Sequence, residues 1–282
     1  MRVLLTTGAL LALLACSNNI NDLTQRADPG AVNRVAGYNA DELLNRDVAT
    51  LTPVELSQYL LAAQKRDRGV AAAVARYENL DPQSLADALP TDAARKAFWI
   101  NTYNGFIQYV LQRQPELYED RGAFFKAEQL AIAGQSLSFD DIEHGIIRHG
   151  RAKLSAGYLP DLLDSDFEEK MATSEVDPRI HFAVNCGAID CPPVHVFDEA
   201  SIDQQLDALT KRYLEKTTSY DAAAGTVRIS PLMNWFRGDF GGKNSTAQFL
   251  KAYEVIPQDA DPKISYGDYD WTLALGTYGE GV

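Results

Sequence analysis

The chain has 282 residues, of which 46% are hydrophobic and 23% are charged, as is typical of a globular protein with a substantial core. Acidic residues outnumber basic ones by 39 to 26, which gives a formal charge of -13. A surface with this charge repels phosphate backbones and anionic lipid headgroups, so nucleic acid is not expected as a partner.

The first residues have the pattern of a bacterial export signal. A short positive region precedes residues 3–14, which are almost entirely apolar and have the length of a signal peptide rather than of a membrane span. The sequence Leu-Leu-Ala-Cys then resembles a lipobox, in which lipid is attached to Cys16, and Ser17 resembles a sorting signal for the outer membrane. We therefore expect a signal peptide over residues 1–15 and a lipid-anchored envelope protein that faces the periplasm. The alternative is an ordinary signal peptide followed by a chance cysteine.

The residues after Cys16 divide into a tether and a domain. Residues 16–48 are mostly small and polar, as expected of a solvated tether, and the globular domain is placed at residues 49–282. Within it, Thr52-Pro53-Val54-Glu55 carries the signature of a helix start with a capping box. Residues 94–111 are apolar around most of a helix circumference, which predicts a buried helix.

The remaining segments mix short strands with helices. The patterns predict a hairpin over residues 130–139, a helix over 138–149, a strand over 179–185, a loop over 187–193, a helix over 201–216, a strand over 226–229, a short aromatic helix through Trp235 and Phe236, and a last strand over 271–275. There is no regular alternation of strands and helices. The sequence therefore predicts a single α+β domain with helices packed on a small, mainly antiparallel sheet.

Three amide side chains interrupt the apolar helix. Asn101, Asn104 and Gln108 fall on one stripe, and a buried amide costs roughly 1 to 3 kcal/mol unless it is hydrogen-bonded. Two interpretations stay open. The amides either bond to neighbouring backbone or line a cleft.

Four groups of motifs resemble, in order, the uncharacterised family called domain of unknown function 547. They are residues 98–104 (Phe-Trp-Ile-Asn-Thr-Tyr-Asn), 141–148 (Asp-Ile-Glu-His-Gly-Ile-Ile-Arg), 177–187 with the following Cys191-Pro192, and Trp235 with Asp239-Phe240-Gly241. The resemblance extends over about residues 50 to 275. It implies no activity, because the family's biochemical role is unassigned.

A thiol site is the leading hypothesis for chemistry. A cysteine becomes a nucleophile beside an imidazole, and His144 is the preferred partner of Cys186 because a regular strand would turn His181 away from that cysteine. Asp140 or Glu143 would orient the His144 ring. The chain would then be an envelope cysteine hydrolase or acyl transferase, with a distant analogy to transglutaminase-like or papain-like folds. The side chains expected to bind substrate are Asn101, Asn104, Arg148, His181 and Asn185.

A disulfide between Cys186 and Cys191 is the main alternative, because lipidation of Cys16 leaves an even pair in an oxidising compartment. The chain would then be a binding module for an unidentified envelope ligand, with the disulfide as a structural staple. A third hypothesis is thiol-disulfide exchange by the same pair. The residue type and position of His181 favour a hydrogen-bonded core residue over a catalytic one. No metal and no cofactor are expected, because the ligand spacings of zinc and calcium sites are missing from the sequence.

Overall fold

The computed structural model describes residues 38–159, 165–242 and 244–279. The expected signal peptide and Cys16 lie outside these residues. Within them, none of the helices has both the length and the hydropathy that a membrane span requires.

The elements alternate irregularly between helices and short strands. In chain order they are α1 (Ala40–Leu43), α2 (Pro53–Arg66), α3 (Val70–Glu78), α4 (Pro82–Asp87), α5 (Asp92–Arg113), α6 (Arg121–Lys126), β1 (Leu130–Ile132), β2 (Gln135–Leu137), a π-helix (Asp141–Ile147), α7 (Asp166–Met171), a 3-10 helix (Pro178–Phe182), α8 (Ile202–Thr217), β3 (Ser219–Asp221), β4 (Thr226–Ile229), α9 (Leu232–Trp235), α10 (Thr246–Ala252) and β5 (Lys263–Tyr266). Short 3-10 turns at Val48–Thr50, Pro115–Asp120 and Lys153–Ser155 complete them. This is the single α+β domain that the sequence predicted.

Two small sheets are present among the described residues. β1 and β2 form the predicted hairpin, with Ala133 and Gly134 at positive φ in the turn. The second sheet has the order β3-β4-β5, in which the first pair is antiparallel and the second parallel. Of its three strands only β4 was predicted, and neither β3 nor β5 was. In the segment 271–275, where the sequence predicted a last strand, Leu273 makes only an isolated bridge to Ala188.

The core is centred on α2 and α5, which pack against each other. The capping box predicted for α2 is present, because Thr52 Oγ1 accepts from the Glu55 N–H and the Glu55 carboxylate accepts from the Thr52 N–H. In α5, Phe98, Trp99 and Tyr103 are fully buried, as its pattern predicted. A second apolar cluster of Phe182, Phe240, Phe249 and their neighbours fills the space beside β4, α9 and α10.

Packing begins earlier in the chain than predicted. Helix α1 lies within the segment interpreted as tether, and both Leu43 and Leu44 are buried in the main core. Asn39 caps this helix by accepting from the N–H groups of Asp41 and Glu42. Part of the predicted tether is therefore an element of the domain.

The prediction of a strand over residues 179–185 is wrong. Asp177 accepts from the Arg179 N–H, and Pro178 occupies the first helical position, so this turn starts a 3-10 helix at Pro178–Phe182. Side chains do not alternate in a 3-10 helix as they do in a strand. The strand argument that turned His181 away from Cys186 therefore does not apply.

Candidate functional site

A fully buried ion pair forms the base of the candidate site. Arg148 Nε donates to Asp239 Oδ2 at 2.7 Å, and Arg148 Nη2 donates to Asp239 Oδ1 at 3.1 Å. Both side chains have zero exposure. A bidentate pair of this kind fixes the orientation of both partners, and removing one partner would leave an uncompensated buried charge.

The third nitrogen of the guanidinium holds His144. Arg148 Nη1 lies 2.8 Å from His144 Nδ1, one helical turn away. An arginine can only donate, so Nδ1 is the acceptor and the neutral ring carries its proton on Nε2. Burial, together with the positive charges of Arg148 and Lys153, lowers the pKa of His144 well below its ordinary value. The structure thus specifies both the tautomer and the orientation of this imidazole.

The same carboxylate also accepts from a second imidazole. His181 Nε2 donates to Asp239 Oδ2 at 2.8 Å, and the His181 ring stacks on Phe236 at 4.0 Å between centroids. The guanidinium of Arg148 lies over the same phenyl ring at 4.7 Å. Burial lowers the pKa of His181. Burial alone would raise the pKa of Asp239, but the hydrogen bonds from His181 and Arg148 outweigh it and hold this pKa at about 2.

Close backbone packing fixes the position of Asp239. Gly238 N–H donates to the Ala156 carbonyl at 2.7 Å, and a Cβ atom on Gly238 would lie only 2.5 Å from the Gly157 carbonyl carbon. Gly157 itself has φ of +86°, which favours glycine. Only glycine therefore allows the segment before Asp239 to approach this loop.

Two carboxylates flank the His144 ring. Glu143 Oε1 lies 3.7 Å from His144 Nδ1, and its Oε2 accepts from the Tyr103 hydroxyl at 3.0 Å. Asp140 Oδ1 lies 3.6 Å from His144 Nε2 and also accepts from Lys153 at 2.7 Å. Burial raises the pKa of Glu143. The side chains of Asp140 and Glu143 keep 17% and 13% exposure, against 8% for His144, so the carboxylates connect the buried cluster to solvent.

The asparagines predicted to bind substrate are instead committed to backbone. Asn101 donates to the Phe197 carbonyl and accepts from the Phe197 N–H, both at 2.9 Å. Asn104 donates to the Ala183 carbonyl and accepts from the Asn185 N–H, while Asn185 itself bonds to Pro192 and Gly187. Gln108 likewise accepts from the Gly276 N–H at 2.8 Å, so the first of the two interpretations, bonding to backbone, describes Asn101, Asn104 and Gln108.

The two cysteines form a disulfide, as the alternative hypothesis had it. Cys186 therefore has no free thiol, and in this state it is not the nucleophile of the leading hypothesis. Cys191 is 7% exposed, whereas Cys186 is partly exposed. The Tyr269 hydroxyl donates to Cys191 Sγ at 3.2 Å.

Sequence reasoning selected five residues of this cluster and missed three. Asp140, Glu143, His144, Arg148 and His181 were selected, and the structure brings them together. Asp239, Phe236 and Tyr103 were not assigned to a site. Asp239 stood in one of the motifs that carry the resemblance. A buried arginine needs a carboxylate partner, and this requirement is the signal that could have identified Asp239. Tyr103 was interpreted only as part of the apolar face of α5.

The described residues contain no group of three or more histidine, cysteine, aspartate or glutamate side chains arranged to hold a metal ion.

The molecule is an α+β domain in which a π-helix presents an imidazole clamped by a buried Arg-Asp pair. Residues 87–214 match the model of the family described as Protein of unknown function, DUF547, which supports the resemblance seen in the motifs. The matched segment includes Glu143, His144, Arg148, His181 and both cysteines, while Asp239 lies beyond it. No curated protein and no solved structure matched the chain.

Proposed function

We propose that the chain is an exported lipoprotein whose domain binds a polar ligand at the edge formed by Asp140, Glu143 and His144. The observation that carries the proposal is the clamped imidazole: Arg148 holds His144 Nδ1 while Asp239 holds Arg148. A buried ion pair adds little stability compared with well-packed apolar side chains. The Arg148-Asp239 pair instead holds the His144 side chain rigidly next to solvent, and a binding or reaction site requires this arrangement.

The chemistry of the edge favours a ligand that presents hydrogen-bond donors. The carboxylates of Asp140 and Glu143 accept, and the neutral His144 ring adds a single Nε2–H donor. Hydroxyl and ammonium groups match this set. The proposal needs no free thiol, in contrast to a cysteine hydrolase, which would need Cys186 to be reduced.

A side-chain NMR titration tests the binding site. The folded domain with nitrogen-15 histidine is titrated with glucosamine, which carries both hydroxyl and ammonium donors, and with glucose as the uncharged comparison. We expect a saturable shift of the His144 resonances with glucosamine. These resonances are assigned by their loss in His144→Gln, and their shift should be smaller in Glu143→Gln. His149→Gln is the matched control, because His149 is exposed. Unchanged His144 resonances at millimolar glucosamine would count against the proposal.

The same samples separate binding from catalysis by cysteine. After reduction, a hydrolase with a Cys186-His144 pair would react with an alkylating probe at pH 6, and His144→Ala would abolish that reaction. We expect the reduced protein to react no faster than an ordinary thiol. Rapid labelling at Cys186 that depends on His144 would favour the hydrolase instead.

Two features support export and lipid attachment. The Leu-Leu-Ala-Cys sequence ends at Cys16, and a disulfide pairs the other two cysteines, as is common in oxidising compartments. In a bacterial host we expect radiolabelled palmitate on the wild-type chain and on Cys186→Ser, and none on Cys16→Ser. Density-gradient fractions should contain the labelled chain with the outer membrane. An unlabelled wild-type chain would contradict lipidation.

A further inference from the structure

The two sulfurs of the disulfide have different surroundings. Cys191 Sγ receives two hydrogen bonds, from the Cys186 N–H at 3.1 Å and from the Tyr269 hydroxyl at 3.2 Å. Cys186 Sγ lies farther from the same hydroxyl, at 3.9 Å. Donors directed at a sulfur stabilise its thiolate, so the surroundings favour negative charge on Cys191.

The cysteine whose sulfur receives the hydrogen bonds is the less exposed of the two. Cys191 is 7% exposed, while Cys186 is partly exposed and is followed by a loop that presents Ile189 at 52% exposure and an exposed Asp190. An incoming thiol therefore reaches Cys186 more easily than Cys191. The sulfur of Cys186 is therefore the one open to attack, and the sulfur of Cys191 is the one whose surroundings favour its departure as a thiolate.

An aromatic group holds the Tyr269 hydroxyl in place. The Tyr269 ring packs against Trp271 at 4.8 Å and Trp235 at 5.1 Å between centroids. The Asp190 carboxylate also accepts from the Asp270 N–H at 2.7 Å, which ties the disulfide loop to the segment that carries Tyr269. The Tyr269 hydroxyl is thus held beside Cys191 by contacts in addition to its own hydrogen bond to the sulfur.

We propose that the Cys186-Cys191 disulfide is a directional exchange site for an external dithiol. The first thiolate of the dithiol attacks Cys186 Sγ and forms a mixed disulfide, and the electron pair of the broken bond goes to Cys191, which leaves as a thiolate held by the Cys186 N–H and the Tyr269 O–H. The second thiolate of the dithiol then attacks the dithiol's own sulfur in the mixed disulfide, which breaks the bond to Cys186 and releases Cys186 as a thiolate. Two electrons reduce the protein disulfide, and the dithiol becomes a disulfide. This inference does not depend on the ligand proposed for the His144 site.

Adduct mapping on the wild-type protein tests the direction of attack. The folded full-length chain is incubated with 2-mercaptoethanol, quenched with acid at early times, and its peptides are analysed by mass spectrometry. We expect the first adduct on Cys186. A first adduct on Cys191, or reaction only after the chain is unfolded, would overturn the proposal.

The Tyr269→Phe variant tests the leaving group, because it keeps the ring and removes the donor. A leaving thiol with a higher pKa leaves more slowly, so loss of the hydrogen bond from the Tyr269 hydroxyl, which raises the pKa of Cys191, should slow reduction by dithiothreitol severalfold. Tyr266→Phe is the matched control in β5 and should reduce at the wild-type rate. Equal rates for Tyr269→Phe and wild type would overturn the role of the hydroxyl. If Tyr269→Phe does not fold, the wild-type adduct map still decides the direction.

Discussion

At the scale of single residues, Asp239 is the acceptor shared by a buried guanidinium and a buried imidazole. Asp239→Asn keeps the shape of the side chain but removes the charge that balances Arg148. We expect it to lower the free energy of unfolding by about 3 to 5 kcal/mol, the usual effect of breaking a buried ion pair. Urea denaturation measures this loss. As the control, Asp268→Asn removes an exposed partner of Arg228 and should leave the urea midpoint unchanged. An Asp239→Asn variant as stable as the wild type would contradict the role of Asp239 as the partner of Arg148.

His144 gives the fold a pH dependence in the neutral range. Its pKa in the folded chain lies well below the ordinary 6.5, so the unfolded chain takes up a proton first as the pH falls. The stability that His144 contributes is therefore present above pH 6.5 and declines as the pH drops below it, with a slope of up to about 1.4 kcal/mol per pH unit from this group alone. Urea denaturation between pH 8 and pH 5 measures the slope.

The matching variant is His144→Gln, whose amide oxygen can still accept from Arg148. We expect it to reduce the slope. An unchanged slope in His144→Gln would mean that this imidazole does not titrate differently on folding. Asp239, with its pKa at about 2 against an ordinary 3.8, contributes stability that is lost only at much lower pH.

Residue-level prediction succeeded where the signal was local. The spacing of Asp140, His144 and Arg148 at steps of four placed them on one helix face, and the structure has them adjacent. Asp239 lies 91 residues beyond Arg148, and no periodicity in the sequence relates the two positions. Tertiary contacts bring them together, among them the packing of the loop at Gly157 against Gly238.

At the scale of elements, helix α5 organises the loops around the site through its buried amides. Asn104→Ala would leave the Asn185 N–H and the Ala183 carbonyl without their partner. Each buried polar group left unpaired costs about 1 to 3 kcal/mol, so we expect a loss of at least that size in the free energy of unfolding. Asn79→Ala, at an exposed position on α3's C-terminal end, is the control in the same denaturation assay. A loss no larger than that of the control would contradict this structural role of Asn104.

Element types were predictable wherever capping and periodicity agreed. The capping box at Thr52 and the apolar pattern of α5 both indicated helices, and both helices are present. Residues 179–185 looked like a strand because their apolar residues alternate, yet Asp177 and Pro178 start a 3-10 helix at that position. In so short a segment the capping interaction and the proline determined the backbone more strongly than the alternation did.

At the scale of the whole molecule, the start of the packed domain depends on apolar burial that composition alone does not reveal. The polar residues before position 49 indicated a tether, but Leu43 and Leu44 are 6% and 4% exposed within the main core. Arg66 also binds Asp41, and Arg68 donates to the Leu44 carbonyl, so α2 and the residues after it are anchored to this segment. Two leucines among polar neighbours are too weak a periodic signal to mark a helix.

Truncation of the chain tests this boundary. A chain of residues 38–282 keeps α1, whereas a chain of residues 49–282 begins where the sequence placed the domain and lacks both leucines. Burying one leucine contributes about 1.5 to 3 kcal/mol, so the shorter chain should lose several kcal/mol and expose an apolar groove along α2. Thermal unfolding and binding of an apolar dye compare the two chains. Leu43→Ala in the longer chain should show a smaller loss of the same kind, and equal stability of the two truncations would mean that α1 does not belong to the folded unit.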